Sequence, residues 1–458
     1  MTRPDRRPLL GLLTAVGIST LGTRMSFLAL PWLVLITTHS SVITGLVAFA
    51  EMAPYVTVQG LGGPVIDRVG ARRASVGTDV AAAVFMGTVP VLAALHALPV
   101  PALAGLVAVA GAARGAGDAA RDVLVPGAND LARGSIERAS GLYDGVSRLG
   151  SLVGLPFAGV LVAVMNAADV LAIDAGTFVI SAATVALLIP AAAQPRRHPA
   201  AEIAEPAGYF SSLRQGFSFL AHDRLLLGIA AMILVTNFVD QAGNAVLIPV
   251  WAHDIIHSSV ALGLVGAAFA LGAVAGNAAT TVLAGRLPRR LTYSIGFFIA
   301  GAPRFVALAV LGAVSPVLAV TFVAGLGAGG INPILGAVSY ERVPRHLQAR
   351  VLGAVAASAW VAVPIGSLAG GLAVSVAGDR IALLAAAALY CLATFPPFLF
   401  PVWQQMSAPA KPASAPAPAR PSPPPLPTPE PGSSPLPDRP QTINSEPAAR
   451  SGLGPVAD

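Results

Sequence analysis

Twelve apolar stretches, each long enough to cross a bilayer, occupy almost all of residues 9–403. A spanning helix needs roughly 20 mostly apolar residues. Stretches of that kind run over 9–37, 42–64, 74–95, 99–122, 139–165 and 168–190. After a polar break they resume over 224–250, 260–284, 292–313, 316–339, 350–376 and 379–403. Only 11% of the residues are charged and 55% are hydrophobic, whereas an ordinary soluble domain is about 25% charged. Too few charges remain to clothe a water-facing surface, so lipid must cover it. The predicted fold is all-α and integral to the membrane, with abundant Gly and Ala allowing helices to approach closely in lipid.

Arginines fix the predicted orientation, because cytoplasmic loops carry the excess of basic residues. One set of connections holds Arg68, Arg72 and Arg73; Arg133 and Arg138; Arg196, Arg197 and Arg214; Arg286, Arg289 and Arg290; Arg342 and Arg345. The N-terminus adds Arg3, Arg6 and Arg7, and the alternate connections hold only Arg380. Both termini are therefore expected in the cytoplasm, with the protein in the cell membrane. The first apolar run continues too far for a signal peptide and lacks a small-residue cleavage site, so it reads as an uncleaved first span. The net charge of +6 is spread in short clusters between spans. A nucleic-acid binder gathers such charge on one face, so nucleic acid is set aside as a partner. The lone Cys391 allows neither an internal disulfide nor a Cys-rich metal site.

The six-span block occurs twice. Arg68 after the second span matches Arg286 after the eighth, and Pro126 matches Pro344, both 218 positions apart; the run Gly150–Gly154 is echoed by Gly366–Gly370, 216 apart. Both copies start on the same side, so the repeat is parallel, and two such halves place a solute site at their interface near mid-membrane. The predicted organisation is a six-helix bundle over 1–190, a cytoplasmic linker over 191–222, a second bundle over 223–403 and a tail over 404–458. Within the linker, Tyr209–Leu220 is amphipathic enough for a short surface helix. The tail is rich in Pro, Ala and Ser, a composition that favours polyproline II and cannot bury a core.

The loop after the second span reads Gly63-Pro-Val-Ile-Asp67-Arg68-Val-Gly70-Ala-Arg72-Arg73. It resembles the signature loop G-x-x-x-D-R-x-G-x-R-R of the major facilitator superfamily at every defining position. The fifth span carries Gly141, Gly150, Gly154, Pro156 and Gly159. This is similar to that family's antiporter motif G-x8-G-x3-G-P-x2-G-G, with Ala158 in place of one glycine and the proline one residue late. The stretch from Arg121 through Pro126 to Ile173-Asp174-Ala175 resembles the branch holding enterobactin and macrolide exporters.

The resemblance implies two six-helix halves and secondary transport by alternating access, without a cofactor. It also implies that the signature loop locks one conformation. Asp67 would rest on the positive N-terminal end of the eleventh helix, near Arg350, where a carboxylate gains about 0.3–1 kcal/mol. Arg68 and Arg72 would pair with Asp118 or Asp122 at the end of the fourth span, and Gly70 would make the turn. The second copy has Gly285 where the aspartate belongs, so its lock is expected to be weaker.

A charged side chain at a span centre costs about 2.5–3.5 kcal/mol on insertion scales, so each is expected to face the bundle interior. Arg24, Glu51, Arg114, Asp240 and Arg304 lie mid-span. Arg114/Asp118 and Asp144/Arg148 are each four apart and read equally well as self-neutralised pairs; Asp79 and Asp174 read as structural. Arg24 and Glu51 sit at similar depth on antiparallel neighbours and are expected to pair. A carboxyl group held between burial and a guanidinium can take and release a proton. Glu51 and Asp240 are the expected proton or cation carriers and Arg24 their tuner, with Asn237, Gln241 and Asn244 adding polar groups to the seventh span. A static buried ion pair is the competing reading.

The expected activity is proton-coupled efflux of a small amphipathic solute, a drug, siderophore or secondary metabolite, by a monomer whose partners are that solute, protons and lipid. Import of a metabolite is the first alternative; a membrane-embedded enzyme or a non-transporting scaffold follows. The seven histidines are scattered through loops, with His253 and His257 expected to be solvated, and no catalytic set converges. The only lysine, Lys411, lies in the tail, so no phosphate-binding G-x-x-x-x-G-K-[ST] loop exists and ATP does not drive the protein directly.

Overall fold

Each apolar stretch forms a helix, since lipid leaves a spanning backbone no other way to satisfy its amides. The computed structural model describes residues 5–190, 209–283, 286–344 and 347–407. Among the described residues, twelve helices are long and apolar enough to cross a membrane. They are α1 (Arg7–Thr38), α2 (Ser41–Leu61), α3 (Ala71–Ala94), α4 (Val100–Ala132), α5 (Ile136–Val164) and α6 (Ala167–Leu188), then α7 (Arg224–Ile255), α8 (Ser259–Leu283), α9 (Arg289–Val310), α10 (Val314–Arg342), α11 (Arg350–Ala377) and α12 (Asp379–Leu399). The linker segment 191–208, Gly285, Arg345 and residues 408–458 lie outside the described residues.

Helix ends follow local chemistry more than hydropathy. Ser40 accepts from the Ile43 amide at 3.3 Å, and Asp223 accepts from the Leu225 and Leu226 amides at 3.0 and 3.1 Å, satisfying donors that a helix start leaves open. α4 outlasts its apolar stretch by ten residues, to Ala132. A formed helix continues through charged residues when each still closes a backbone bond, and α4 stops where Arg133 turns left-handed at φ 53°. α7 likewise runs past position 250 to Ile255, through π-helical turns at Gly243–Leu247 and Trp251–Ile255. Such turns recur at functional sites. The surface helix spans Tyr209–His222 and lies on the start of α11, where the Arg350 guanidinium bonds Gln215. Order extends past 403 in a 3-10 turn, Pro401–Met406, whose Trp403 is buried against Tyr293.

Two helix pairs join the halves on the face opposite the one where α1 begins. Ser41 Oγ donates to the Gly371 carbonyl at 3.1 Å, tying α2 to α11. A Cβ on Gly45 would lie 2.6 Å from the Ser367 carbonyl oxygen. Ser259 Oγ donates to the Gly159 carbonyl at 3.3 Å, tying α5 to α8, and a Cβ on Gly159 would stand 2.9 Å from the Gly263 Cα. Both crossings use the small residues by which helices approach within lipid. Toward the face where α1 begins, the halves separate around a cavity.

Candidate functional site

The cavity has a volume of about 790 Å³ and is lined by both halves. Arg24, Tyr55, Arg114, Asp118, Arg121 and Arg148 come from the first half; Asp240, Asn244, Phe269, Arg304 and Trp360 come from the second. Tyr55 and Trp360 face each other across the halves with ring centroids 6.4 Å apart.

In the first half, Glu51 of α2 is ion-paired with Arg114 of α4, and both are almost completely buried. Glu51 does not line the large cavity. It borders a separate, water-sized void of about 10 Å³, lined by Phe27, Leu30, Thr44, Met52 and Gln241 among others. The Arg114 guanidinium also stands 5.8 Å from the Tyr55 ring centroid, a cation–π approach. Tyr55 donates its hydroxyl hydrogen to Asp118 at 3.1 Å. Asp118 in turn accepts from Arg121 at 2.7 Å. Arg121 is buried and also grips both oxygens of Asp79, at 2.8 and 3.0 Å, while Ser181 donates to Asp79 at 2.7 Å. A continuous polar chain therefore runs from Glu51 through α4 to α3 and α6.

In the second half, Arg304 of α9 donates to Asp240 of α7 at 2.7 Å. Arg304 is buried, yet the Asp240 side chain keeps 34% of its surface exposed to the cavity. The guanidinium carbon lies 5.0 Å from the Phe269 ring centroid and 4.7 Å from that of Phe305. Asn237 and Gln241 do not serve Asp240: they bond the Ala359 carbonyl at 2.9 Å and Ser367 Oγ at 3.1 Å, fastening α7 to α11.

Several expected pairings are not formed. Arg24 does not pair with Glu51; its Nε donates to Ser151 of α5 at 3.0 Å, and Arg114 takes the carboxylate. The face of α1 at Gly22 is pressed on Asp174 and Thr177 of α6, which turns Arg24 toward α5. Consequently Arg114 and Asp118 are not partners of one another, since each has a closer partner on another element or turn. Asp144 and Arg148 are exposed and form no ion pair among the described residues. Asp174 is fully buried and accepts from Ser26 and Thr177.

The signature loop is disengaged. A short helix, Gly63–Val69, precedes Gly70, whose φ of 92° suits glycine before α3 starts. Asp67 and Arg68 are exposed and make no hydrogen bond or ion pair among the described residues. Arg72 donates to the Ala186 carbonyl of α6 at 2.6 Å, not to Asp118 or Asp122. With the halves apart on this face, the start of α11 is not presented to Asp67. Arg73 is exposed.

Along α5, Gly150 and Gly154 admit Thr20 and Arg24 of α1, Gly159 meets α8, and Gly141 faces open space. Pro156 lies inside the helix without ending it. Sequence reading missed Arg121 as the hub of the network; an arginine three residues after Asp118 within an apolar span was the available signal. It also expected His253 to be solvated, whereas its ring packs against Trp32 at 5.5 Å, His39 lies 6.3 Å away, and Asp254 is within 2.5 Å of Nδ1.

A family model, Major Facilitator Superfamily, matches residues 12–242 and 230–444. The multidrug efflux pump Tap of Mycobacterium tuberculosis (strain ATCC 25618 / H37Rv) is 30% identical over 390 residues, covering 84% of this chain and 92% of that protein. Tap of Mycolicibacterium fortuitum is 28% identical over 392 residues, covering 84% and 93%. The crystal structure of the nucleoside transporter NupG is similar in fold, with a TM-score of 0.66 at 14% identity, covering 85% of this chain and 98% of that one.

Proposed function

The chain belongs to the Major Facilitator Superfamily, and from that membership we propose that it exports small amphipathic molecules, drugs among them, in exchange for protons. It is a secondary transporter and not an enzyme. The efflux activity of the Tap pumps, similar over most of both chains, supports export. The arginine-rich loops and both termini are assigned to the cytoplasm by the basic-residue bias. The cavity then opens inward, ready to load cargo. Both walls of the cavity come from one chain, which supports a working monomer.

The observation that carries proton coupling is the buried Glu51–Arg114 pair, whose arginine lies in the cavity wall while its carboxylate borders a separate small void behind it. A carboxylate in such a place is stable only while paired. Protonation of Glu51 would release Arg114 toward Tyr55 and the Asp118–Arg121–Asp79 chain, giving the proton a route to influence how α2 and α4 sit. With the cavity open on the face where α1 begins, the pair is made, as expected after the proton has left. The test is export from intact cells and everted vesicles of a fluorescent cationic dye. Vesicles acidified inside should accumulate dye, and a protonophore should abolish it; accumulation indifferent to the pH gradient would defeat the proposal. Labelling of a cysteine placed at position 201 from outside intact cells should fail, and ready labelling would overturn the orientation.

A further inference from the structure

Four buried or half-buried arginines reach the cavity wall, and three of them are neutralised. Arg114 has Glu51, Arg121 has Asp79 and Asp118, and Arg304 has Asp240. Arg24 has no carboxylate within 4 Å among the described residues; its Nε is spent on Ser151 Oγ at 3.0 Å. The two terminal nitrogens of its guanidinium, the fork that clasps oxyanions, have no hydrogen-bond acceptor among the described residues. An uncompensated cation inside a membrane protein is unfavourable, so its retention calls for an occupant. Helix α5 is cut back to hold it: a Cβ on Gly154 would come within 2.8 Å of the Arg24 Cβ. One turn from Ser151, Arg148 lines the same wall and is likewise without an acidic partner, and Ser147 and Ser151 add hydroxyls.

We propose that the α1–α5 wall, with Arg24 as its centre and Arg148, Ser147 and Ser151 beside it, is a subsite for a carboxylate carried by the cargo. A guanidinium matches a carboxylate with two parallel hydrogen bonds, and such charge-assisted bonds are roughly twice as strong as neutral ones. Ser151 holds the Nε edge, which leaves the terminal nitrogens as the donors to the incoming group. The aromatic faces of Tyr55 and Trp360 lie in the same chamber and suit the apolar body of the molecule. The transported class thus includes aromatic amphiphiles bearing an acid group, as anions or zwitterions. This rests on the reading of the cavity as the cargo chamber and deepens it.

The experiment uses full-length protein in nanodiscs with 1-pyrenebutyrate and its neutral methyl ester. Binding is read as energy transfer from tryptophan to pyrene, counting only the part lost in Trp360→Phe. The acid should bind wild type at least about tenfold more tightly than the ester, the ratio expected of a hydrogen bond to a charged group. Arg24→Gln should erase that preference while leaving ester affinity unchanged, and Arg24→Lys should retain part of it. Equal binding of acid and ester by wild type would overturn the subsite and leave the chamber standing, and this comparison needs no variant to fold. Parallel weakening of both compounds in Arg24→Gln would assign Arg24 a packing role instead. Binding of neither compound would remove the subsite together with the cargo chamber.

Discussion

Glu51–Arg114 and Asp240–Arg304 are the same chemical pair in two different settings. The first is almost completely buried at the junction of α2 and α4, its carboxylate kept off the cavity that Arg114 lines; the second shows its carboxylate to the cavity. They are not related by the internal repeat. Advanced by the 218 positions that relate the loops, Glu51 falls on Phe269, whose ring Arg304 overlies. By the same register Arg114 falls on Asn332 and Arg304 on Met86, so the second half builds its pair from other positions, on α7 and α9. Under the proposed mechanism, the buried pair would hold the proton and the pair open to the cavity would meet the cargo.

The largest expected difference is in stability. Removing one partner of a buried ion pair strands the other and costs about 3–5 kcal/mol, so Arg114→Leu should lower the melting temperature sharply. Arg304→Leu leaves Asp240 hydrated, and its effect is expected to stay nearer the common range of about 0.5–3 kcal/mol. Scanning fluorimetry of the two purified variants decides it, and equal shifts would erase the distinction between the buried pair and the one open to the cavity. The double variant Glu51→Leu/Arg114→Met sharpens the point, because an apolar replacement of both partners is often neutral. It should recover most of the stability lost by Arg114→Leu.

Accessibility gives the next contrast. A water-soluble maleimide should react with Asp240→Cys at least about tenfold faster than with Glu51→Cys, since the latter needs a local opening first. Comparable rates would place Glu51 in the cavity. The smallest effect belongs to Asp67→Asn, an exposed site where stability should change by no more than about 0.5 kcal/mol. Its dye export should nonetheless fall, because the loop is expected to engage only when the halves close on its side. Normal transport by Asp67→Asn and Gly70→Ala alike would reduce the loop to a charge anchor.

The twelve spans were legible because lipid enforces a length and a composition that a sequence shows directly. The ends of α4 and α7 were less so, since a helix continues through charged residues and π turns wherever its backbone bonds close. Depth was legible for the charges, but direction was not. Glu51, Arg24 and Arg114 share a level, and the choice of partner depends on how α1 is rotated. That rotation is set by Gly22 against Asp174 and Thr177, a contact between helices far apart in sequence. The signature loop was legible as a motif, while its engagement depends on the conformation. In the state seen here Arg72 finds a carbonyl of α6 instead.

The central claim, that the buried Glu51–Arg114 pair carries the proton and the Asp240–Arg304 pair meets the cargo, is tested most directly in proteoliposomes with an imposed pH gradient. Glu51→Gln imitates a permanently protonated carboxyl, so gradient-driven uphill transport should be lost while solute–solute exchange continues. Asp240→Asn should keep its response to the gradient and show weakened solute affinity. Full gradient-driven transport by Glu51→Gln would contradict the account and return the Glu51–Arg114 pair to a structural role.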